Sequence, residues 1–346
     1  MTPLSTRAAG SSAASARRVR PIRRQAWLVT PGLLAALPAT AATYLRVVPP
    51  TTELGAKMAA FIPYGLVFWL PACVLLGIAT FRAWRHASRG RVVLAALSAL
   101  VVAGLAATVV WEGPAFVADG PPARTAPLRI LSINVASRAD TDAVAQVAER
   151  ADVVVFVEAG SEWAGTLIDG FHKRFPHQVP RPGEPGLGGS MIFSRYPIES
   201  AQPLPASSFQ QWSAVIDTPQ LGRLRVVGVH PCNPFCGVDL WRQEAAQLRG
   251  WLDGRDRSIP TVVAGDFNAV DDHLPMRELY EDGFRSAADL AGAGFVRTWP
   301  AGRRVPPLIG IDHILLDDTL TATAFTTTAV PGTDHLGVLG TIAGVG

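Results

Sequence analysis

The sequence predicts an α/β domain carried on a three-helix transmembrane region, and three observations point there. Three uncharged, mostly apolar runs fill much of the first 110 positions. From residue 128 onward, short β-rich runs alternate with stretches of helical spacing. A set of polar residues then sits where those predicted strands end.

Taken in order, a basic tail (residues 1–25) precedes runs at 26–45, 59–81 and 92–110. Each is about 20 residues long, enough to cross roughly 30 Å of hydrocarbon as helix. Trp27, Tyr44, Trp84 and Trp111 lie at their ends, as interfacial aromatics do. A buried core helix is the alternative for any single run. Pro31, Pro38, Pro63 and Pro71 are expected only to kink the spans, because lipid offers the backbone nothing better than helix. Arg17, Arg18, Arg20, Arg23 and Arg24 precede the first span, and Arg82, Arg85, Arg89 and Arg91 fill the second connection. The first connection carries only Arg46 and Lys57. The positive-inside tendency puts the tail in the cytoplasm and, after three crossings, residues 111–346 outside it. A cleaved signal peptide ending near Ala39-Thr40-Ala41 is a rival reading that leaves the same part outside.

Charge divides the same way. Residues 1–124 hold 13 Lys+Arg and 3 Asp+Glu, a net of +10, whereas residues 125–346 hold 18 and 25, a net of −7. The overall basic balance therefore comes from membrane flanks and is no argument for a nucleic-acid partner. Residues 111–127, rich in Pro and Gly, read as a linker that reaches on the order of 55 Å when extended. One domain, 128–346, follows.

Within it, strands are predicted at 128–134, 153–157, 190–194, 212–216, 224–229, 261–265, 311–316, 320–328 and 336–342. Helical spacing marks 140–150, 161–171 and 239–253, with Thr141 or Asp140 and Asp239 as caps. The glycine-rich 182–190 lacks the Gly-Lys-Ser/Thr of a nucleotide loop and reads as a flexible rim. Cys73 lies in the second span. Cys232 and Cys236, four apart, suit a loop disulfide outside the cytoplasm; two free thiols or a zinc site are the alternatives, and zinc lacks further close ligands.

The strand-end residues carry the chemistry. Hydrolysing a phosphoester requires neutralising its anionic oxygens, deprotonating water and stabilising the leaving oxygen. Glu158, after VVVFV, suits magnesium, which prefers oxygen ligands and asks the protein for only one or two carboxylates. Asn134, in LSINV, would serve beside it as a neutral ligand or orienter, though an Asn there is also an ordinary turn residue. In VVAGDFNAV, Gly265 lets the backbone turn and present Asp266, to handle a proton or position the nucleophile, and Asn268, to donate to a phosphate oxygen. Asp334 would put a carboxylate near the metal and His335 an imidazole over the water, with Asp312 holding that imidazole's tautomer. His230, ending LRVVGVH, would protonate or hydrogen-bond the phosphate. His313 should point to the opposite strand face from Asp312 and is left out of the site.

The order and spacing of LSINV, VFVEAG, GGSMIFSRYPI, VVGVHP, VVAGDFNAV, GIDHILLD and TDHLGV resemble the endonuclease/exonuclease/phosphatase superfamily over essentially all of 128–346. That resemblance implies a four-layered α/β sandwich, with two packed mixed β-sheets flanked by helices and Mg2+, or Mn2+ in its place, at the sheet ends. By position, Asn134, Glu158 and Asp334 resemble its metal-side residues, Asp266 and Asn268 its nucleophile and phosphate pair, His230 its phosphate-contacting histidine, and Asp312 with His335 its acid–base dyad. The HPCNPFC loop departs from the pattern. The three-span half looks like the VanJ type of bacterial membrane protein, associated with teicoplanin resistance, which implies a lipid-linked phosphate such as undecaprenyl pyrophosphate at the outer leaflet. A tethered nuclease, a phospholipid phosphodiesterase and a non-catalytic ligand sensor stand beside that reading.

Overall fold

The computed structural model describes residues 25–167, 169–180, 189–205 and 207–345. Nearly all of the basic tail, and 182–188 of the glycine-rich rim, lie outside these.

Three helices, α1 (Ala26–Val47), α3 (Gly65–Arg85) and α4 (Arg91–Glu112), are long and apolar enough to cross a membrane. Small residues let them approach: Ala36 and Ala39 pack against Ala72 and Leu76. Leu37, Val67 and Leu100 point outward, more than 60% exposed, as lipid-facing residues would. Pro31 and Pro38 lie inside α1 and Pro71 inside α3. The predicted second run is divided instead of continuous. Ala59 closes a separate short helix, α2 (Glu53–Ala59), and Pro63 sits in the 3-10 turn that leads into α3. Thr52 starts α2 by accepting a hydrogen bond from the Gly55 N–H (3.2 Å), satisfying one of its orphan donors.

Residues 128 onward form two six-stranded sheets. One has the order β11 (Leu320–Ala329), β12 (Leu336–Gly344), β1 (Leu128–Asn134), β2 (Val153–Val157), β4 (Ser190–Ser194), β3 (His177–Val179). The other runs β5 (Ile198–Pro203), β6 (Trp212–Thr218), β7 (Gly222–Val229), β8 (Thr261–Asp266), β10 (Asp312–Leu316), β9 (Arg285–Ser286). Ile130, Val155, Val226 and Val262 meet between the sheets. The outer faces are covered by α5 (Thr141–Ala148), α6 (Ser161–Gly165) and α7 (Asp169–Arg174) on one side, and by α8 (Val238–Asp253) and α9 (Leu274–Glu281) on the other. This is the expected α/β sandwich. Asp140, not Thr141, caps α5, accepting from the Ala143 N–H at 2.9 Å. Asp239 does not cap α8: that helix starts at Val238 after Gly237, and Asp239 falls in its first turn, where its charge still suits the dipole.

Two connections differ from a loose tether. Between α4 and β1, the Arg124 N–H donates to the Gly344 carbonyl (2.8 Å), and Asp119 pairs with Arg285 (2.6 Å). The Pro/Gly segment is thus bound along the domain, its backbone groups satisfied by neighbours in place of water. The first membrane connection is bound too. Arg46 pairs with Asp272 (2.8 Å), the Arg277 guanidinium donates to the Arg46 carbonyl (2.7 Å), and Tyr64 Oη donates to the Leu308 carbonyl (2.7 Å).

Candidate active site

Topology alone gathers the polar strand ends. β1 and β2 run parallel, as do β7 and β8, so Asn134, Glu158, His230 and Asp266 all emerge at one edge of the sandwich. β10 runs antiparallel to β8 with Asp312 directly opposite Asp266, and β12, antiparallel to β1, starts at the same edge just after His335. Like charges opposite one another destabilise a sheet unless something intervenes. His335 does so. Its Nδ1 lies 2.9 Å from Asp312 Oδ2, and its Nε2 lies 3.8 Å from Asp266 Oδ2.

Asp266 is the centre of the arrangement and is 2% exposed. Asn134 Nδ2 donates both to Asp266 Oδ2 (3.1 Å) and to Glu158 Oε1 (3.0 Å), holding the two carboxylates side by side. The Asn134 amide oxygen accepts from the Ala136 N–H (2.9 Å), which fixes the amide's orientation. Asp266 Oδ1 accepts from the Asn268 N–H (2.8 Å), while Asn268 Nδ2 donates to the Pro231 carbonyl (2.9 Å), leaving its second N–H for the cavity. His230 Nε2 is 3.6 Å from Glu158 Oε1, and its ring stacks on Phe209 at 4.3 Å. Two clusters of ligand-type atoms result, Glu158–His230–Asp266 and Asp266–Asp312–His335, and Asp266 belongs to both.

Backbone strain is concentrated here. Glu158 (φ +54°) and Asn268 (φ +49°) adopt the left-handed region, which non-glycine residues occupy at a cost. Gly265 (φ +154°) has no alternative, because a Cβ there would come within 2.0 Å of the Val229 carbonyl oxygen. The GDFN turn therefore needs its glycine for close approach between β7 and β8 as well as for conformation.

Burial and charge set the proton affinities. Burial works against a charged His335, but Asp312 and Asp266, with the hydrogen bond to Asp312, outweigh it and raise its pKa to about 10. Burial, then the neighbouring Asp312, push the Asp266 carboxyl above the ordinary carboxylate range. Three carboxyl groups, Glu158, Asp266 and Asp312, thus meet two imidazoles, His230 and His335, a donor set that suits a divalent cation among hard oxygen ligands.

The structure brings together seven of the eight residues expected from the sequence. Asp334 lines the same cavity, but its carboxylate faces Arg303 (3.4 Å) and Arg138 (3.6 Å) at the rim and lies outside both clusters. His313 keeps away from the site, with its Nε2 2.9 Å from the Ala269 carbonyl. Among the domain's tryptophans, Trp299 lines the cavity, Trp241 is buried on the inner face of α8, and Trp212 packs on the inter-sheet core. Phe209 and Thr333, whose Oγ1 ties the Asn134 carbonyl (2.6 Å) to the His335 N–H (3.2 Å), carry no sequence signal. Cys232 and Cys236 form a disulfide that ends the His230 loop. The cavity measures about 620 Å³ and also draws on Lys57 and Phe61 of the first membrane connection.

Residues 131–335 match the model of the Endonuclease/Exonuclease/phosphatase family. Among solved structures, the endonuclease/exonuclease/phosphatase from Bacteroides vulgatus is similar over 63% of this chain and 99% of its own, with 18% identity and a TM-score of 0.52. A functionally unknown conserved protein from Enterococcus faecalis V583 matches over 63% and 100%, with 16% identity and a TM-score of 0.51. Humanized D. rerio TDP2 matches over 62% and 98%, with 17% identity and a TM-score of 0.50. At such identities the likeness is one of fold. A comparison with curated proteins returns no match.

Proposed function

The chain belongs to the endonuclease/exonuclease/phosphatase family, and from that premise we propose a membrane-anchored, metal-dependent phosphoester hydrolase. Its three apolar helices would cross the cell membrane with the tail in the cytoplasm, and its substrate would be a lipid-linked phosphate such as undecaprenyl pyrophosphate at the outer leaflet. The observation that carries the reading is the shared position of Asp266, which joins an oxygen-rich cluster to an acid–base cluster.

The donor set suits Mg2+, with Mn2+ as a substitute: Glu158 and Asp266 would hold it, and Asn134 keeps the two carboxylates together. Bound there, the ion would neutralise phosphate charge and polarise the bond to be broken. The chain's own groups divide the remaining work. Asp266 orients a water and takes its proton. Asp312 fixes His335 so that Nε2 faces the same space and donates to a phosphate oxygen. His230, backed by Phe209, and the free N–H of Asn268 bind the phosphate from the other side. Asp334 we assign to aligning Arg138 at the rim. A VanJ-like assignment, and with it a part in teicoplanin resistance, is supported by three apolar helices preceding a domain of this family.

A domain of net −7 is poorly suited to capturing a polyanion without sequence contacts, which weighs against the nuclease reading. A pure sensor would have no need of His335 backed by Asp312. The test uses the full chain in detergent micelles with Mg2+, comparing phosphate release from undecaprenyl pyrophosphate with nicking of plasmid DNA. Phosphate release that falls by about a thousandfold or more in Asp266→Asn supports the proposal. Nicking without phosphate release would replace it with a nuclease, and turnover of neither substrate would leave the sensor.

A further inference from the structure

The family domain does not build the whole of its catalytic cavity. The membrane-side wall comes from the connection between the first two membrane helices, where Ala56, Lys57, Ala60 and Phe61 line the same space as Asp266 and His335. This wall is held in place. The Ala56 carbonyl accepts from His273 Nε2 (2.9 Å), and Ala60 packs against Val270 and Ile311.

Lys57 differs from the other cation of this lining. Among the described residues each faces a carboxylate at similar range, Arg138 facing Asp334 (3.6 Å) and Lys57 facing Glu53 (3.5 Å) one turn back, but the Lys57 side chain is 33% exposed against 63% for Arg138. An exposed pair of that kind takes up little of the ammonium's charge. Lys57 Nζ instead lies 3.7 Å from the ring centroid of Phe235, on the loop closed by the Cys232–Cys236 disulfide. An aromatic face steadies a cation without neutralising it. The ammonium is therefore positioned, largely unneutralised, and set between the catalytic clusters and the membrane helices.

We propose that Lys57 is a substrate-contacting specificity residue that binds the inner, chain-bearing phosphate of a lipid diphosphate while the terminal phosphate lies among Asp266, His335 and His230. The proposal rests on the lipid-linked reading given above. Phe61, one turn beyond Lys57, flanks the route by which the apolar chain returns to the membrane. In the reaction, the water oxygen bonds to the terminal phosphorus as its proton passes to Asp266. The bridging P–O bond breaks with its electron pair on the oxygen retained by the lipid monophosphate. Negative charge thus grows on the phosphate that Lys57 contacts. A monophosphate of the same chain offers no second phosphate to Lys57, so the residue should favour the diphosphate selectively.

The experiment measures kcat/KM of the full chain in micelles for a long-chain prenyl diphosphate, the matching prenyl monophosphate and the small soluble ester bis(p-nitrophenyl) phosphate. Wild type, Lys57→Met and Lys57→Arg are compared. Lys57→Met is expected to lower the diphosphate-to-monophosphate ratio about tenfold, with a smaller fall for the soluble ester, as fits one charge-assisted contact. Lys57→Arg should recover most of the ratio. An unchanged ratio in Lys57→Met, or an equal fall for all three substrates, would overturn the assignment while leaving the lipid reading intact. Wild type that cleaves the soluble ester and neither lipid would overturn both.

Discussion

The contact between α2 and the domain should depend on pH through His273, in a way that one substitution removes. His273 is buried; its Nδ1 accepts from the Val270 N–H (3.0 Å) and its Nε2 faces the Ala56 carbonyl (2.9 Å), so both ring nitrogens are used by a neutral imidazole. Burial, helped by nearby His313, lowers its pKa from 6.5 to about 4. An undocked, hydrated His273 would titrate near the ordinary value. Docking stability from this residue is then fully present above pH 6.5, and as the pH falls toward about 4 it is lost. The whole difference is worth about 3 kcal/mol, and the part lost between about pH 7 and pH 5 about 2 kcal/mol. Asp272, whose carboxyl burial raises to about 6 against the pull of Arg46, pairs with the end of α1 and is common to both proteins compared, so it leaves their difference unchanged. Relative to His273→Gln, which can keep both hydrogen bonds uncharged, wild type should therefore lose about 2 kcal/mol more of its hold on α2 between about pH 7 and about pH 5. Hydrogen exchange of the α2 amides in the full chain, corrected for intrinsic rates, reads this directly. Equal pH slopes in the two proteins would refute the reasoning.

Three further outcomes are expected. Asp312→Asn keeps the shape of the contact to His335 but removes the charge that holds its proton, so kcat should fall by about a hundredfold or more with little change in melting temperature; a loss below tenfold would contradict the dyad. Gly265→Ala should cost about 3 kcal/mol or more of stability, because the added Cβ meets the Val229 oxygen at 2.0 Å, and denaturant titration would detect it. Chelation by EDTA should abolish phosphoester hydrolysis and Mg2+ or Mn2+ should restore it; activity persisting in exhaustively chelated protein would rule out the cation's part.

What the sequence made legible follows from how few ways a strand end can be used. A polar residue that ends a run such as VVVFV or TVVAGD has left the core, and parallel pairing brings several such ends together, so Glu158 and Asp266 could be read in advance. Adjacency to His335 suggests a metal-side place for Asp334, yet consecutive residues in an irregular turn point apart, and two rim arginines take its carboxylate. Short elements escaped for want of pattern: β5, Ile198–Pro203, is a polar, exposed edge strand, and α9 spans only two turns. Phe209 and Thr333 act through contacts remote in the chain, which local spacing does not encode. The Pro/Gly composition of 111–127 suggests a bare linker, whereas α4 runs on to Glu112, Gly113–Phe116 form a 3-10 turn, and backbone bonds dock the rest.

The same docking constrains topology independently of hydropathy. Ala56 and Arg46 belong to the first membrane connection and its approach, and they bond to His273, Asp272 and Arg277 of the domain. Groups in such contact cannot lie on opposite sides of a bilayer. On the proposed three crossings, the end of α1, the start of α3 and the end of α4 would share one face, as these contacts require. Arg82, Arg85, Arg89 and Arg91 would then fall at the other face with the start of α1, and the positive-inside tendency would make that face the cytoplasmic one. The contacts bear on which ends are paired, and the charge on which face the proposal calls inner.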